Sequence, residues 1–151
     1  MRRLLLVALL ALIGCGGGDA APAPDPRPSP APNARGAAVI RAWTKAIYEG
    51  DYERAGSLFA PRAIVQQAET TVLRTRADAV AFSRSLPCRA KVKRIEREPN
   101  GVLLASFELF PGRAGACRGG GSARVRFMIR GGRIETWRQL PEAPQPPGQS
   151  T

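Results

Sequence analysis

The chain has 151 residues, 44% of them apolar, with 23 Lys and Arg against 12 Asp and Glu, a net charge of +11, three cysteines and no histidine. That length holds one ordinary domain. The lack of histidine removes the commonest general base and metal ligand, and three cysteines alone leave a Cys/His zinc site without its usual donors, so neither metal nor cofactor is expected.

In chain order, the first element is a leader. Met1-Arg2-Arg3 is a short positive segment, and Leu4 to Ala11 is an apolar run shorter than the roughly 20 residues needed to span a bilayer. Leu12-Ile13-Gly14-Cys15 resembles a bacterial lipobox. The resemblance implies cleavage between Gly14 and Cys15, diacylglycerol on the Cys15 thiol, and an acylated new amine. Two acyl chains hold a protein stably where one does not, so the expected location is the extracytoplasmic face of the cell membrane. The other reading of Cys15 is an incidental cysteine after an ordinary secretory signal. Residues 15–33 read as a Pro/Ala-rich linker: six prolines between Gly16 and Arg35 favour an extended stalk. The segment 143–151 reads as a disordered tail.

The domain is expected over 34–142. Asn33 can cap a first helix, and Val39, Ile40, Trp43, Ala46 and Ile47 recur at helical spacing. Gly50 can end it in the left-handed conformation. Asp51 can cap a second helix with Ala55, Leu58 and Phe59 buried and Pro61 as its stop. Ala63–Gln66 and Thr70–Leu73 read as a short hairpin. Thr75-Arg76-Ala77-Asp78 reads as a capping box with Asp in place of Glu, opening a third helix with Ala79, Val80, Phe82 and Leu86 on its buried side, ended by Pro87.

Four strands follow. Arg89 to Glu98 leads to the turn Pro99-Asn100-Gly101, and Val102 to Phe110 puts Leu103, Ala105, Phe107 and Leu109 on one face and Ser106 and Glu108 on the other. After a Gly-rich loop, Ala123 to Arg130 alternates Val125, Phe127 and Ile129 inward with Arg124, Arg126 and Arg130 outward, and Gly131-Gly132 turns the chain into Arg133 to Leu140. The expectation is an α+β fold: a curved antiparallel sheet, made of a four-strand meander and a short hairpin, wrapped on three N-terminal helices.

A secretory leader places Cys88 and Cys117 outside the cytosol, where disulfides persist. Alternate meander strands begin at the same end of the sheet, about 10 Å apart, and flexible flanks can bring the two cysteines into bonding range. The closed loop of about 30 residues is expected to contribute about 3–4 kcal/mol. The alternative is a pair of free thiols in redox chemistry, though the chain has no Cys-x-x-Cys.

Four segments together resemble the SnoaL-like, nuclear transport factor 2-like superfamily: Ala42-Trp43 through Gly50-Asp51-Tyr52, Phe59-Ala60-Pro61-Arg62-Ala63, Thr75-Arg76-Ala77-Asp78-Ala79, and Gly132-Arg133-Ile134-Glu135-Thr136-Trp137-Arg138. They cover about residues 34–140. The resemblance implies a cone-shaped α+β fold with a pocket at its open end, and frequent dimers. It implies no single activity, because the superfamily holds isomerases, cyclases, dehydratases and noncatalytic binding domains.

Trp43, Tyr48, Phe82, Phe107, Phe127 and Trp137 are the candidates to line the pocket, with core packing as the alternative. Tyr48 and Trp137 are those expected to show a polar edge at its mouth. The one weak catalytic candidate is Glu108, which burial would turn into a base. Strand parity argues instead for a cross-strand ion pair of Glu108 with Arg124 or Arg126 on the outer face. Arg89, Lys91, Lys93, Arg94 and Arg97 read either as contacts to lipid phosphates or as a solvated edge strand.

The functional expectation is a membrane-anchored, noncatalytic domain that binds a small apolar ligand or an envelope protein. The alternatives are an isomerase- or cyclase-type enzyme using a pocket carboxylate or tyrosine, and a scaffold that forms a homodimer through its sheet. No nucleic-acid-binding motif is present, so no nucleic acid is expected as a partner.

Overall fold

A computed structural model describes residues 32–112, 117 and 120–141. The leader, Cys15, nearly all of the linker and the tail lie outside the described residues, as does much of the Gly-rich loop. Helix α1 spans Pro32–Glu49, α2 Tyr52–Ser57 and α3 Arg76–Ser85. The strands are β1 (Phe59–Gln66), β2 (Thr70–Leu73), β3 (Cys88–Arg97), β4 (Leu103–Pro111), β5 (Gly121–Arg130) and β6 (Arg133–Gln139). Among the described residues, no helix is long and apolar enough to cross a membrane.

Local signals set most element ends. Gly50 adopts φ 77° and donates its N–H to the Ile47 carbonyl at 3.2 Å, closing α1 as a left-handed glycine does. The Asp51 side chain accepts from the Arg54 N–H at 3.0 Å. Thr75 and Asp78 form a reciprocal capping box on α3: the Asp78 N–H donates to the Thr75 hydroxyl at 3.1 Å, and the Thr75 N–H donates to the Asp78 carboxylate at 2.9 Å. The turn at Asn100 and Gly101 takes φ 61° and 78°.

Other expected ends move. Asn33 falls within α1, which begins one residue earlier. Phe59 opens β1 instead of closing α2, because the Ile134 N–H binds the Leu58 carbonyl at 2.8 Å and draws the chain into the sheet. Pro61 therefore lies inside β1 and stops no helix. It sits where the β1–β6 register shifts, between Phe59 and Ile64, beside Arg62 at φ 62°. A bulge tolerates proline's missing donor. Leu86 leaves α3 in an extended conformation, ψ 122°, as a residue before proline does.

The six strands form one sheet in the order β2-β1-β6-β5-β4-β3. All neighbours pair antiparallel except β1 and β6, which run parallel and join the hairpin to the meander. Register shifts also occur between Val92 and Arg94 in β3 and between Met128 and Ile129 in β5. Such bulges raise local twist and bend a sheet. The second leaves Ile129 half-buried beyond the inward-facing Val125 and Phe127.

The concave face closes over α1. Trp43 is the hub of the core: its ring meets Phe59, Phe107, Phe127 and Trp137 edge-on at 5.8 to 6.5 Å between centroids. Helices α2 and α3 cross closely at Gly56, where a Cβ would lie 2.9 Å from the Val80 backbone nitrogen. Cys88 and Cys117 form a disulfide, with 5.6 Å between Cα atoms and a sequence separation of 29.

Candidate ligand pocket

One cavity of about 110 Å³ opens between α1 and the concave face of the sheet. Trp43 and Ile47 form its helical wall, and Phe107, Leu109, Val125 and Trp137 its floor. Leu86, Pro87, Cys88 and Ala90, where α3 hands the chain to β3, complete one side. These side chains face inward because strand alternation sends their neighbours to the outer surface. Gln67 and Gln139 supply the polar part of the lining, and Gln67 Nε2 donates to Gln139 Oε1 at 2.9 Å.

Among the described residues that line this cavity there is no Asp, Glu, Tyr, Lys or Arg. Two polar atoms of the wall residues lie buried beneath its surface. Trp43 Nε1 and Trp137 Nε1 are both buried without a hydrogen-bond partner among the described residues. Each residue is 3% exposed, and the two rings stand 6.2 Å apart at 61°. A buried donor left unpaired costs about 1–3 kcal/mol.

Three of the six aromatic candidates, Trp43, Phe107 and Trp137, meet at this cavity. The other three stand outside its lining. Phe127 is wholly buried and packs edge-on against Trp43 at 5.8 Å. Phe82 lies 5.1 Å from Trp137 and 5.8 Å from Phe59, where it buttresses the rings and borders a separate shallow depression. Tyr48 turns to the outside of α1 instead of the mouth. It meets Phe110 edge-on at 6.1 Å, beneath the Arg89 guanidinium at 5.0 Å and the Lys91 ammonium at 5.1 Å. Helix position decides this: Tyr48 follows the inward Ile47 by one residue, about 100° around the helix.

Glu108 has no place in the cavity. It lies on the opposite face from Phe107 and Leu109, with its side chain 47% exposed and 3.3 Å from Lys93 Nζ. The expected partners Arg124 and Arg126 do not reach it, because the register sets Ser122 opposite Glu108. Arg126 instead holds Glu98 in a two-pronged contact at 2.7 and 3.0 Å. The hydrogen bonds from Arg126 keep the Glu98 carboxyl below its ordinary range. The Thr75 backbone N–H does the same for Asp78.

The basic strand β3 forms an edge of the sheet. Arg89 and Lys91 cover Tyr48, Lys93 pairs with Glu108, and Arg94 pairs with Glu96 at 2.9 Å. No group of three or more potential metal ligands occurs among the described residues.

Sequence reasoning missed Gln67, Gln139, Leu86 and Leu109 as lining residues. Nothing local marks them, since Gln67 and Gln139 meet only once β1 and β6 pair. The unsatisfied indoles were also invisible, because a side chain's partners are set by three-dimensional packing.

No protein-family model matches the sequence, and no curated protein does. Solved structures do match. A proposed ketosteroid isomerase from Kribbella flavida is 20% identical, with TM-score 0.59 over 76% of this chain and 84% of that one. An epoxide hydrolase of the LEH-like type from M. tuberculosis is 16% identical, with TM-score 0.54 over 70% of this chain and 81% of that one. A nuclear transport factor 2-like protein of unknown function from Cytophaga hutchinsonii is 9% identical, with TM-score 0.54 over 68% of this chain and 85% of that one. At these identities the likeness is one of fold: the chain shares the α+β architecture of these solved structures.

Proposed function

We propose that this chain is an extracytoplasmic lipoprotein, anchored through Cys15, whose cone binds a small apolar ligand without transforming it. The observation that carries the binding reading is the cavity wall: aliphatic and aromatic side chains, two glutamines, and no ionisable group among the described lining residues. Isomerase- or cyclase-type proton transfer needs a carboxylate, tyrosine or histidine within reach of the substrate. Glu108 and Tyr48, the nearest things to such groups in the sequence, point elsewhere. The names of the Kribbella and M. tuberculosis proteins belong to those proteins, and their chemistry is not needed to account for this cavity.

Size narrows the ligand. An engineered apolar cavity of about 150 Å³ accepts benzene, so a space of about 110 Å³ suits one small ring or the end of a chain. The test uses the secreted full chain carrying Cys15→Ser, with Cys88 and Cys117 oxidised, titrated with single-ring compounds and followed by tryptophan fluorescence and thermal unfolding. A bound ligand at a hundredfold excess over Kd adds about 2.7 kcal/mol to stability. Absence of any shift across the series would overturn the reading. Mass spectrometry of the wild-type N-terminus tests the anchor: the expected species starts at Cys15 and carries diacylglycerol, and an intact leader in the soluble fraction would refute it.

A second reading, a homodimer through the outer face of the sheet, rests on a different observation. Ile64 and Val72 are exposed and stand opposite each other in the β1–β2 register. Thr136 and Met128 extend that row across β6 and β5. Sedimentation at micromolar concentration tests it, with Ile64→Lys expected to leave only monomer.

A further inference from the structure

The cations of the edge strand β3 are unevenly compensated. Lys93 is held by Glu108 at 3.3 Å and Arg94 by Glu96 at 2.9 Å. Arg89 and Lys91 pair with no carboxylate among the described residues. Both lie over the Tyr48 ring, at 5.0 and 5.1 Å, and Lys91 also lies 5.1 Å from the Phe110 ring. Helix α1 brings two more cations alongside them. A groove of about 380 Å³ runs between α1 and β3, with Arg41, Lys45 and Tyr48 on one wall and Lys91 and Val92 on the other. Arg41, Lys45 and Lys91 are all exposed, and no carboxylate lines the groove among the described residues. Arg41 has no ion pair there, and the partner of Lys45 is Glu49, one turn further along the helix. Arg41 and Lys45 are like charges four residues apart, a spacing that destabilises a helix. An anion in the groove relieves that repulsion.

Going beyond the anchor and cavity readings above, we infer that this groove docks the phosphate headgroups of an anionic membrane, with Arg41, Lys45, Arg89 and Lys91 facing the phosphates and Tyr48 entering the headgroup layer. Charge complementarity is the first argument: basic clusters are drawn to anionic lipid. The ring at the centre is the second, since tyrosine settles at membrane–water interfaces. Reach is the third. Sixteen residues separate Cys15 from Pro32, where α1 begins, a length that spans up to about 50 Å when extended. Arg41 stands about 14 Å along α1 from that point. A chain held at Cys15 can therefore bring the groove to the surface that holds it. A free phosphate ion would meet the same cations singly and fully hydrated, whereas a bilayer presents many phosphates at once.

The test uses the mature chain from residue 15 onward, carrying Cys15→Ser with Cys88 and Cys117 oxidised, so that no lipid is attached and the outcome is independent of the anchor and of the cavity. Cosedimentation is measured with vesicles of phosphatidylcholine alone and with vesicles containing about a third phosphatidylglycerol. Binding is expected only to the anionic vesicles. Each basic residue at such a surface is worth about fivefold in affinity, so Arg41→Gln with Lys91→Gln should weaken binding about thirtyfold. Lys93→Gln with Arg94→Gln removes the same charge from compensated positions and should weaken it less than about threefold. If a variant fails to fold, bicelles carrying a paramagnetic headgroup lipid decide on the unsubstituted chain: resonances of Arg41, Lys45, Tyr48 and Lys91 should broaden before those of Lys93 and Arg94. Equal loss in the two double variants, or uniform broadening, overturns the inference in favour of a general positive field. No binding to anionic vesicles overturns it. Displacement from the vesicles by glycerol phosphate at constant ionic strength overturns it in favour of a small-anion site, and tighter binding of a polyglutamate peptide in favour of an acidic protein partner.

Discussion

The two faces of β4 and β5 use the same backbone for opposite ends. On the inner face, Leu103, Ala105 and Phe107 of β4 meet Phe127 and Val125 of β5, all buried, under the single hub of Trp43. On the outer face, Ser106 and Glu108 stand beside Arg124 and Ser122, and the charges find partners at the surface, such as Glu108 with Lys93. Burial removes apolar area from water at about 25 cal/mol per Å², whereas exposed ion pairs contribute about 0–1 kcal/mol. The inner face therefore carries the stability and the pocket. The outer face carries the exposed charges and their ion pairs.

Substitutions along these strands should break or sharpen that contrast. The largest effect is expected at Phe127, which is wholly buried: Phe127→Ala should cost about 3–5 kcal/mol in chemical denaturation, and a cost below about 1 kcal/mol would show that the core tolerates the void. Next comes the Cys88–Cys117 bond, whose separation of 29 residues corresponds to about 3–4 kcal/mol in the chain-entropy model. The double Cys→Ser variant should lose up to that much and match the reduced wild type. Gly56→Ala pushes a methyl toward the Val80 backbone at 2.9 Å, and overpacking of that kind costs about 1–3 kcal/mol. On the outer face, Glu108→Gln should change stability by less than about 0.5 kcal/mol and leave ligand affinity unaltered. A marked loss of ligand affinity there would place Glu108 at the site after all.

Acid titration tests one carboxyl beside the outer face, Glu98, and one at the start of α3, Asp78. The folded-state carboxyls of Glu98 and Asp78 sit below their ordinary values of 4.5 and 3.8. A depressed carboxyl contributes stability that is complete above its unfolded value and is lost as pH falls through the folded one. Unfolding measured between pH 6 and 2 should therefore show stability declining from about pH 4.5 downward. Glu98→Gln and Asp78→Asn should each flatten part of that decline, and an unchanged profile in both would remove these groups as its source.

Much of this architecture was legible because it is local. The stripe Ile40, Trp43, Ala46 and Ile47, the left-handed Gly50, the Thr75–Asp78 box and the Asn100-Gly101 turn each act within a few residues. Their chemistry reads directly from spacing. The misreadings of Phe59 and Pro61 share another cause. Pro61 behaves as a helix stop only if the chain is helical there, and pairing of β1 with the distant β6 makes it a bulge in a strand. Tyr48 and Phe82 were aromatic enough for a pocket, but Tyr48 stands about 100° around α1 from the inward Ile47, and Phe82 packs against Phe59 and Trp137.

The sequence by itself determined the apolar alternation of β4 and β5, the helix caps, the absence of histidine chemistry and the outward parity of Glu108. Those features depend on residue type and on periods of 2 and 3.6. Only the tertiary structure decided that β1 runs parallel to β6, that Gln67 meets Gln139, and that Trp43 and Trp137 share one cavity wall. Each of these joins residues far apart in the chain, and the free energy of such contacts comes from packing and desolvation that no local pattern encodes.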